Sequence, residues 1–139
     1  MKIKQCEITL AAKSRGFHLV TDEVLQQIPF ISEAKVGQLT IFIKHSSASI
    51  AINEYADPRV LTDMENFFTE ICDNKPYYTH TDEGPDDMPS HIKASIIGST
   101  ITIPITDGRP NLGIWQGIYL NEHRSHGGNR NLVATLIFD

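Results

Sequence analysis

Residues 80–91 read HTDEGPDDMPSH: two histidines and four carboxylates, with almost nothing that could fill a core. Imidazole with carboxylate is a common ligand set for a divalent metal, and carboxylates without histidine suit Mg²⁺ carrying a phosphate. The same groups can also give or take a proton. Gly84-Pro85 and Met88-Pro89 predict a shaped loop here instead of a helix or strand. His80 and His91 are too far apart for a helical i, i+4 pair, so the spacing matches no standard metal motif. With no ligand to hold, the stretch reads as a solvated acidic loop. Lys93 follows, either balancing the acidic charge or holding a phosphate; two residues from His91, it does not share that residue's helical face.

Three more clusters carry polar chemistry. In KHSSASIAINEYADP (44–58), His45 ends a strong strand and reaches a sheet rim, while Asn53 and Glu54 end the next strand. If these strands form a hairpin around 46–48, His45 and Asn53 fall at opposite ends of it. Asp57 before Pro58 is accounted for as a helix N-cap. In TDGRPNLGIWQG (106–117), Arg109 has the planar fork that suits phosphate. Trp115 is either core or a stacking platform, Gln116 points the other way, and Gly113 and Gly117 suggest a close approach of backbone or ligand. In NEHRSHGGNR (121–130), Glu122, His123, Arg124 and His126 precede a glycine pair that would serve a hairpin turn. Each cluster alone has an ordinary structural explanation. Five of the six histidines fall in them, however, and the clusters sit at strand ends, where loops converge to bind. That combination predicts a polar site.

The elements that must position these groups follow from periodicity and punctuation. Strands are expected at 3–10, 17–20, 38–44, 47–54, 99–105, 113–120 and 131–138, where β-branched and aromatic residues concentrate. Helices are expected at 21–28, capped by Thr21, at 57–73, and at 90–98, ended by Gly98. In the second, Val60, Leu61, Met64, Phe67, Phe68, Ile71 and Cys72 form one apolar stripe. Pro104 within a strand implies an edge or a bulge. The helices interrupt the early strands, whereas the last three strands run without one. This predicts an α+β fold, with largely antiparallel β-sheets and two to three helices, as a single domain over 1–139.

The totals bound the function. A net charge of −5 argues against a nucleic-acid binder working through a broad basic face, though not against a small phosphorylated ligand. No apolar run approaches the ~20 residues needed to span a bilayer, and MKIKQCEITL alternates instead of forming a signal-peptide core. No membrane partner and a cytoplasmic location are expected. Cys6 and Cys72 are in no CxxC spacing and read as small apolar residues.

At these clusters the sequence resembles the YjbQ family, also called uncharacterised protein family UPF0047. HSSASIAINEYADP, YTHTDEGPDDMPSHIKASIIGSTITIPITDGR, LGIWQGIYLNEHRSHGG and the terminal strand carry the likeness over nearly the whole chain. The resemblance implies a small α+β protein assembling as a homotrimer, and a secondary thiamine-phosphate synthase activity. A trimer would set loops of neighbouring chains side by side. The matching positions are His45, Ser47, Asn53 and Asp57; His80, Glu83, Asp86, Asp87, His91 and Lys93; and Asp107, Trp115, Gln116, Glu122, His123 and Arg124.

The implied reaction joins an aminopyrimidine methyl pyrophosphate to a thiazole phosphate, with pyrophosphate leaving. It needs charge neutralisation and alignment more than covalent help. Glu83, Asp86 and Asp87 would then hold a divalent cation, Zn²⁺ or Mg²⁺. His45, His80, His91 and His123 would be ligands or proton donors. Lys93, Arg109 and Arg124 would contact phosphate, with Asn53, Trp115 and Gln116 binding substrate. A metal-dependent hydrolase of a phosphate or other ester, or a noncatalytic metal- or metabolite-binding protein, fits the same composition.

Overall fold

Alternating burial along the strands builds two sheets packed face to face. The computed structural model describes all 139 residues. In chain order the strands are β1 (Lys2–Leu10), β2 (Gly16–Leu19), β3 (Val36–Ile43), β4 (Ala48–Glu54), β5 (Thr100–Thr106), β6 (Arg109–Pro110), β7 (Gln116–Glu122) and β8 (Arg130–Phe138). The helices are α1 (Thr21–Leu25), α2 (Arg59–Cys72) and α3 (Asp87–Ile97), with a 3₁₀ turn at Pro29–Glu33. One sheet has the order β1-β8-β3-β5-β6 and the other β2-β7-β4, and every pairing is antiparallel. The α+β expectation therefore holds.

Leu39, Ile41 and Ile43 of β3, and Leu132, Ala134 and Leu136 of β8, alternate inward and meet Ile50, Ile118 and Leu120 of the smaller sheet. The other face of the smaller sheet carries the helices: Phe17 and Tyr119 pack with Phe68 and Cys72 of α2, and with Ile92 and Ile97 of α3. The result is three layers, sheet on sheet on helices. No helix is long and apolar enough to cross a membrane.

Several expectations are corrected. β3 and β4 are not a hairpin, because residues 44–47 carry the chain from one sheet to the other. The glycine pair 127–128 likewise does not close a hairpin; 123–129 crosses from β7 back to β8. Trp115 lies before β7, not within a strand. In the first helix Thr21 does not cap; its Oγ1 accepts the Ile118 N–H at 2.9 Å, and the α-helix closes at Leu25. In α2, Phe68 and Cys72 are buried but Phe67 and Ile71 face solvent, because the sheet beneath has only three strands and cannot cover the whole stripe. Asp57 does cap α2, its Oδ1 accepting the Arg59 N–H at 2.9 Å. Pro104 sits beside the two-residue β6, and its carbonyl accepts from the Asn111 N–H at 2.8 Å. In extended backbone its missing N–H points the same way, so β3 loses no bond, although the edge strand is β6 and not β5.

The crossing between the sheets is held by a buried ion pair. Glu122 shares a strand face with Ile118 and Leu120, Arg130 shares one with Leu132, and Arg130 Nε donates to Glu122 Oε1 at 2.7 Å. A second bond joins Arg130 Nη2 to Glu122 Oε2. Gly127 passes directly over this pair: a Cβ there would lie 2.4 Å from Glu122 Oε1 and 2.6 Å from Arg130 Nη2. Both side chains are buried and locked, so neither can yield cheaply. Gly127→Ala should destabilise the fold by about 1–3 kcal/mol, as overpacking does. Urea unfolding checks this.

Candidate metal site and adjoining cleft

The acidic stretch does not end in a loop. Helix α3 begins at Asp87, three residues before the expected start, and Pro89 is tolerated because first-turn N–H groups have no partner in the helix. Asp87 and His91 thus become an i, i+4 pair on one face, which brings their side chains together. Asp87 is 1% exposed. Its Oδ1 accepts from Arg124 Nη1 at 2.7 Å, while its Oδ2 faces two imidazoles, His80 Nε2 at 2.8 Å and His91 Nε2 at 3.2 Å. Burial opposes charge on this carboxyl, but the His80 hydrogen bond, His91 and Arg124 outweigh it and hold Asp87 below the usual carboxylate range.

His91 is oriented from behind. Its Nδ1 lies 2.9 Å from the Ser46 carbonyl, which can only accept, so Nδ1 carries the proton. A neutral His91 then presents an unprotonated Nε2 to Asp87 Oδ2. Two lone pairs meet, and either a second ring proton on Nε2 or a metal ion between the two atoms relieves the contact. Offered ligand atoms of His80, Asp87 and His91 all lie within 4.8 Å of one another. A ring N–H fixed to a backbone carbonyl is also the usual support of a metal-ligating histidine. The three residues therefore fit a divalent ion on two nitrogens and one oxygen, a donor set that suits Zn²⁺ or a similar ion better than Mg²⁺.

Arg124 fastens the surrounding loops. Besides Asp87 it bonds Asp86 Oδ2 through Nε at 3.1 Å and the Glu83 carbonyl through Nη2 at 2.9 Å, and Asp86 also accepts the Ser125 N–H at 2.9 Å. Asp86 is thus a partner of Arg124, and Glu83 contributes its backbone. On the other side of His91 opens a cleft of about 730 Å³, lined among others by Lys44, His45, Ser46, Ser95 and Ser99. His45 Nε2 accepts the Asn131 N–H at 2.8 Å, which leaves the neutral ring's proton on Nδ1. Burial, then the charge of Arg130, keeps this imidazole below its ordinary pKa and so favours that neutral form.

His123 is not among these ligands. It is buried behind the site, its Nε2 2.8 Å from Ser49 Oγ, which Asn121 Nδ2 also reaches at 3.1 Å. Burial, aided by the charges of Lys93, Arg15 and Arg130, lowers its pKa to about 3. Lys93 is equally buried and lies 2.9 Å from Asp73 Oδ1, so it faces no substrate.

The rest of the expected set stands elsewhere. β4 runs from Ala48, paired with Glu122 at the His45 end, to Glu54, paired with Gln116. At about 3.3 Å per residue those ends are about 20 Å apart. Asn53, Trp115 and Gln116 occupy the far end: Asn53 Oδ1 accepts the Glu54 N–H, Gln116 Oε1 accepts the Gly113 N–H, and Trp115 is 58% exposed beside Tyr55. Arg109 pairs through Thr106 with Val36, at the end of β3 opposite His45.

The model of the family described as UPF0047 protein YjbQ-like matches residues 6–139 of this chain. The chain belongs to the YjbQ family. The UPF0047 protein YjbQ of Escherichia coli O157:H7 is 50% identical over 132 residues, covering 95% of this chain and 96% of that one. A UPF0047 protein of Synechocystis is 38% identical, covering 91% and 86%. Among solved structures, an uncharacterised YjbQ/UPF0047 protein of Clostridium acetobutylicum superposes with a TM-score of 0.83 at 30% identity, covering 95% of this chain and 99% of that one. A Sulfolobus solfataricus protein of unknown function superposes at 0.85 with 22% identity, covering 99% of each chain, and shares the fold.

Sequence reading of this YjbQ-family chain missed Ser49, Asn121 and Arg130 as parts of the polar interior. The available signal was a polar side chain set within or at the end of an apolar strand: Ser49 in β4, Asn121 in β7 and Arg130 in β8. It also missed the carbonyl of Ser46, which no side-chain pattern can announce.

The buried neutral His123 has a measurable consequence. Its folded pKa lies below the unfolded value of about 6.5, so between pH 3 and 6.5 the unfolded chain binds a proton that the native state does not. Stability should therefore rise with pH, by up to about 1.4 kcal/mol per unit from this group. Denaturation from pH 4.5 to 6.5 should show this slope in the wild type and a flatter one in His123→Gln.

Proposed function

We propose that this chain is a divalent-metal-dependent enzyme acting on a small phosphorylated metabolite, with His80, Asp87 and His91 holding the ion. One observation carries the reading: His91 Nε2, its ring proton committed to Ser46 on the other nitrogen, faces the buried Asp87 Oδ2 at 3.2 Å. When bound, a divalent ion would neutralise a substrate oxygen and acidify water. Arg124 holds Asp87 Oδ1 so that Oδ2 stays turned to the two imidazoles. Lys44, whose Nζ lies 3.6 Å from Glu7 Oε1, lines the cleft, and the His45 Nδ1–H is a donor suited to a phosphate oxygen or a leaving group.

Hydrolysis of a phosphate or related ester is the reaction best supported. Lys93 and Arg124 are engaged by Asp73, Asp86 and Asp87, and Arg109 lies at the other end of β3, so the positive charge available for a full pyrophosphate is small. The synthase reaction implied by the family likeness is the second reading, favoured by a cleft within the size range that takes drug-sized ligands. Incubation with aminopyrimidine methyl pyrophosphate separates them. Phosphate or pyrophosphate release without thiazole phosphate supports hydrolysis, and release that requires it supports synthesis. Turnover of neither this compound nor a panel of phosphate esters counts against an enzyme.

The metal assignment is tested independently. Titration calorimetry should find one tight site for Zn²⁺ per chain in the wild type. His91→Ala and Asp87→Ala should abolish it, and Arg124→Met should weaken it by about 10–100-fold, as loss of supporting partners does. Unchanged affinity in His91→Ala rejects the assignment.

The homotrimer remains a proposal. It is supported by the bare outer face of the five-stranded sheet, where Ile3, Val36, Phe42 and Ile137 stand exposed among threonines. Light scattering should give about three times the chain mass of 15.6 kDa, and Phe42→Asp should lower it. A monomeric wild type would reject the assembly and leave the metal reading intact.

A further inference from the structure

Four fully buried side-chain atoms lack an aligned hydrogen-bond partner: Asp73 Oδ1, Lys93 Nζ, Asn121 Oδ1 and His123 Nδ1. All belong to the layer between the smaller sheet and the helices. Asn121 and His123 alternate with Tyr119 on the helix-facing side of β7, Lys93 is on the inner face of α3, and Asp73 ends α2. The other side-chain polar atom of Asp73, Asn121 and His123 is already engaged. Asp73 Oδ2 accepts from Arg15 Nη2 at 2.7 Å, and Asn121 Nδ2 donates to Ser49 Oγ at 3.1 Å. The Ser49 hydroxyl, having accepted that bond, donates to His123 Nε2 at 2.8 Å, so the ring proton sits on Nδ1. Lys93 Nζ approaches Asp73 Oδ1 to 2.9 Å off-axis, balancing its charge without an aligned bond. The balance is two donors, Lys93 Nζ and His123 Nδ1, against two acceptors, Asp73 Oδ1 and Asn121 Oδ1.

We infer that an ordered internal water lies among these four groups, accepting from Lys93 and His123 and donating to Asp73 and Asn121. Buried polar groups in native proteins are satisfied by protein or by such water, and an internal water typically makes about three hydrogen bonds. The donor set rejects a cation, which would face an ammonium and an N–H. The acceptor set rejects an anion, which would face a carboxylate and an amide oxygen. Only a molecule that both gives and receives suits all four.

The water joins two networks that otherwise do not touch: the Glu65–Arg15–Asp73–Lys93 chain that links the helices, and the Ser49–His123–Asn121 group on the sheet. It ties α3 to the sheet from behind, on the face opposite His91.

A crystal structure of the wild-type protein at atomic resolution tests this directly. The expected result is an isolated peak at about 2.7–3.2 Å from His123 Nδ1 and from at least two of the other three atoms. Oxygen-17 water relaxation dispersion gives a solution count of long-lived internal waters, which should fall by one in Asn121→Leu, where methyl groups replace an acceptor. A dry wild-type map with the four atoms bonded directly to one another overturns the inference, and so does an unchanged count in a folded Asn121→Leu.

Discussion

A carboxylate removed from water must have its charge answered on every side, and Asp87 sets that demand here. It sits in the first turn of α3 with almost no exposure, so each of its oxygens needs a partner supplied by another part of the chain. Arg124, from the crossing between the sheets, takes Oδ1; His80, from the acidic loop, and His91, one helical turn on, take Oδ2. Three segments distant in sequence are thereby fixed relative to one another. The helix start contributes too, since negative charge in a first turn is favoured by the helix dipole. The same demand that organises these loops leaves two imidazole nitrogens and one oxygen turned toward a common point.

Much of the fold was legible because its strands obey period two and its helices carry their own punctuation. β1, β3, β5 and β8 stand close to where the alternation put them, and Asp57-Pro58 marked the start of α2. The errors arose where local chemistry is ambiguous. Met88-Pro89 reads as loop, yet proline is harmless in a first turn, so α3 starts early and creates the Asp87–His91 pair that the expected loop had hidden. Strands adjacent in sequence suggested hairpins at 44–47 and 123–129, but both segments change sheets. No local pattern encodes that choice; it follows from the need to cover two sheet faces at once.

Of the site, the central stretch and His45 were legible as a polar concentration, while the partners were not. Arg124 looked free for phosphate and instead serves the carboxylates. Lys93 looked able to hold phosphate and His123 looked catalytic, and both are interior. A titratable residue's type announces what it can do, but its burial decides what it does, and burial depends on the packing of α3 against β4 and β7. Asn53, Arg109, Trp115 and Gln116 share sequence motifs with the site yet lie at the opposite ends of the strands. Within one chain they belong to another surface, where Trp115 and Tyr55 are exposed.

The central claim is that His80, Asp87 and His91 together hold a divalent ion. Anomalous diffraction from crystals equilibrated with Zn²⁺, recorded on both sides of the metal's absorption edge, addresses it most directly. The account predicts a single strong peak at about 2.0–2.2 Å from His80 Nε2, His91 Nε2 and Asp87 Oδ2. Density for a metal elsewhere, with these three side chains bonded only to one another, would contradict it.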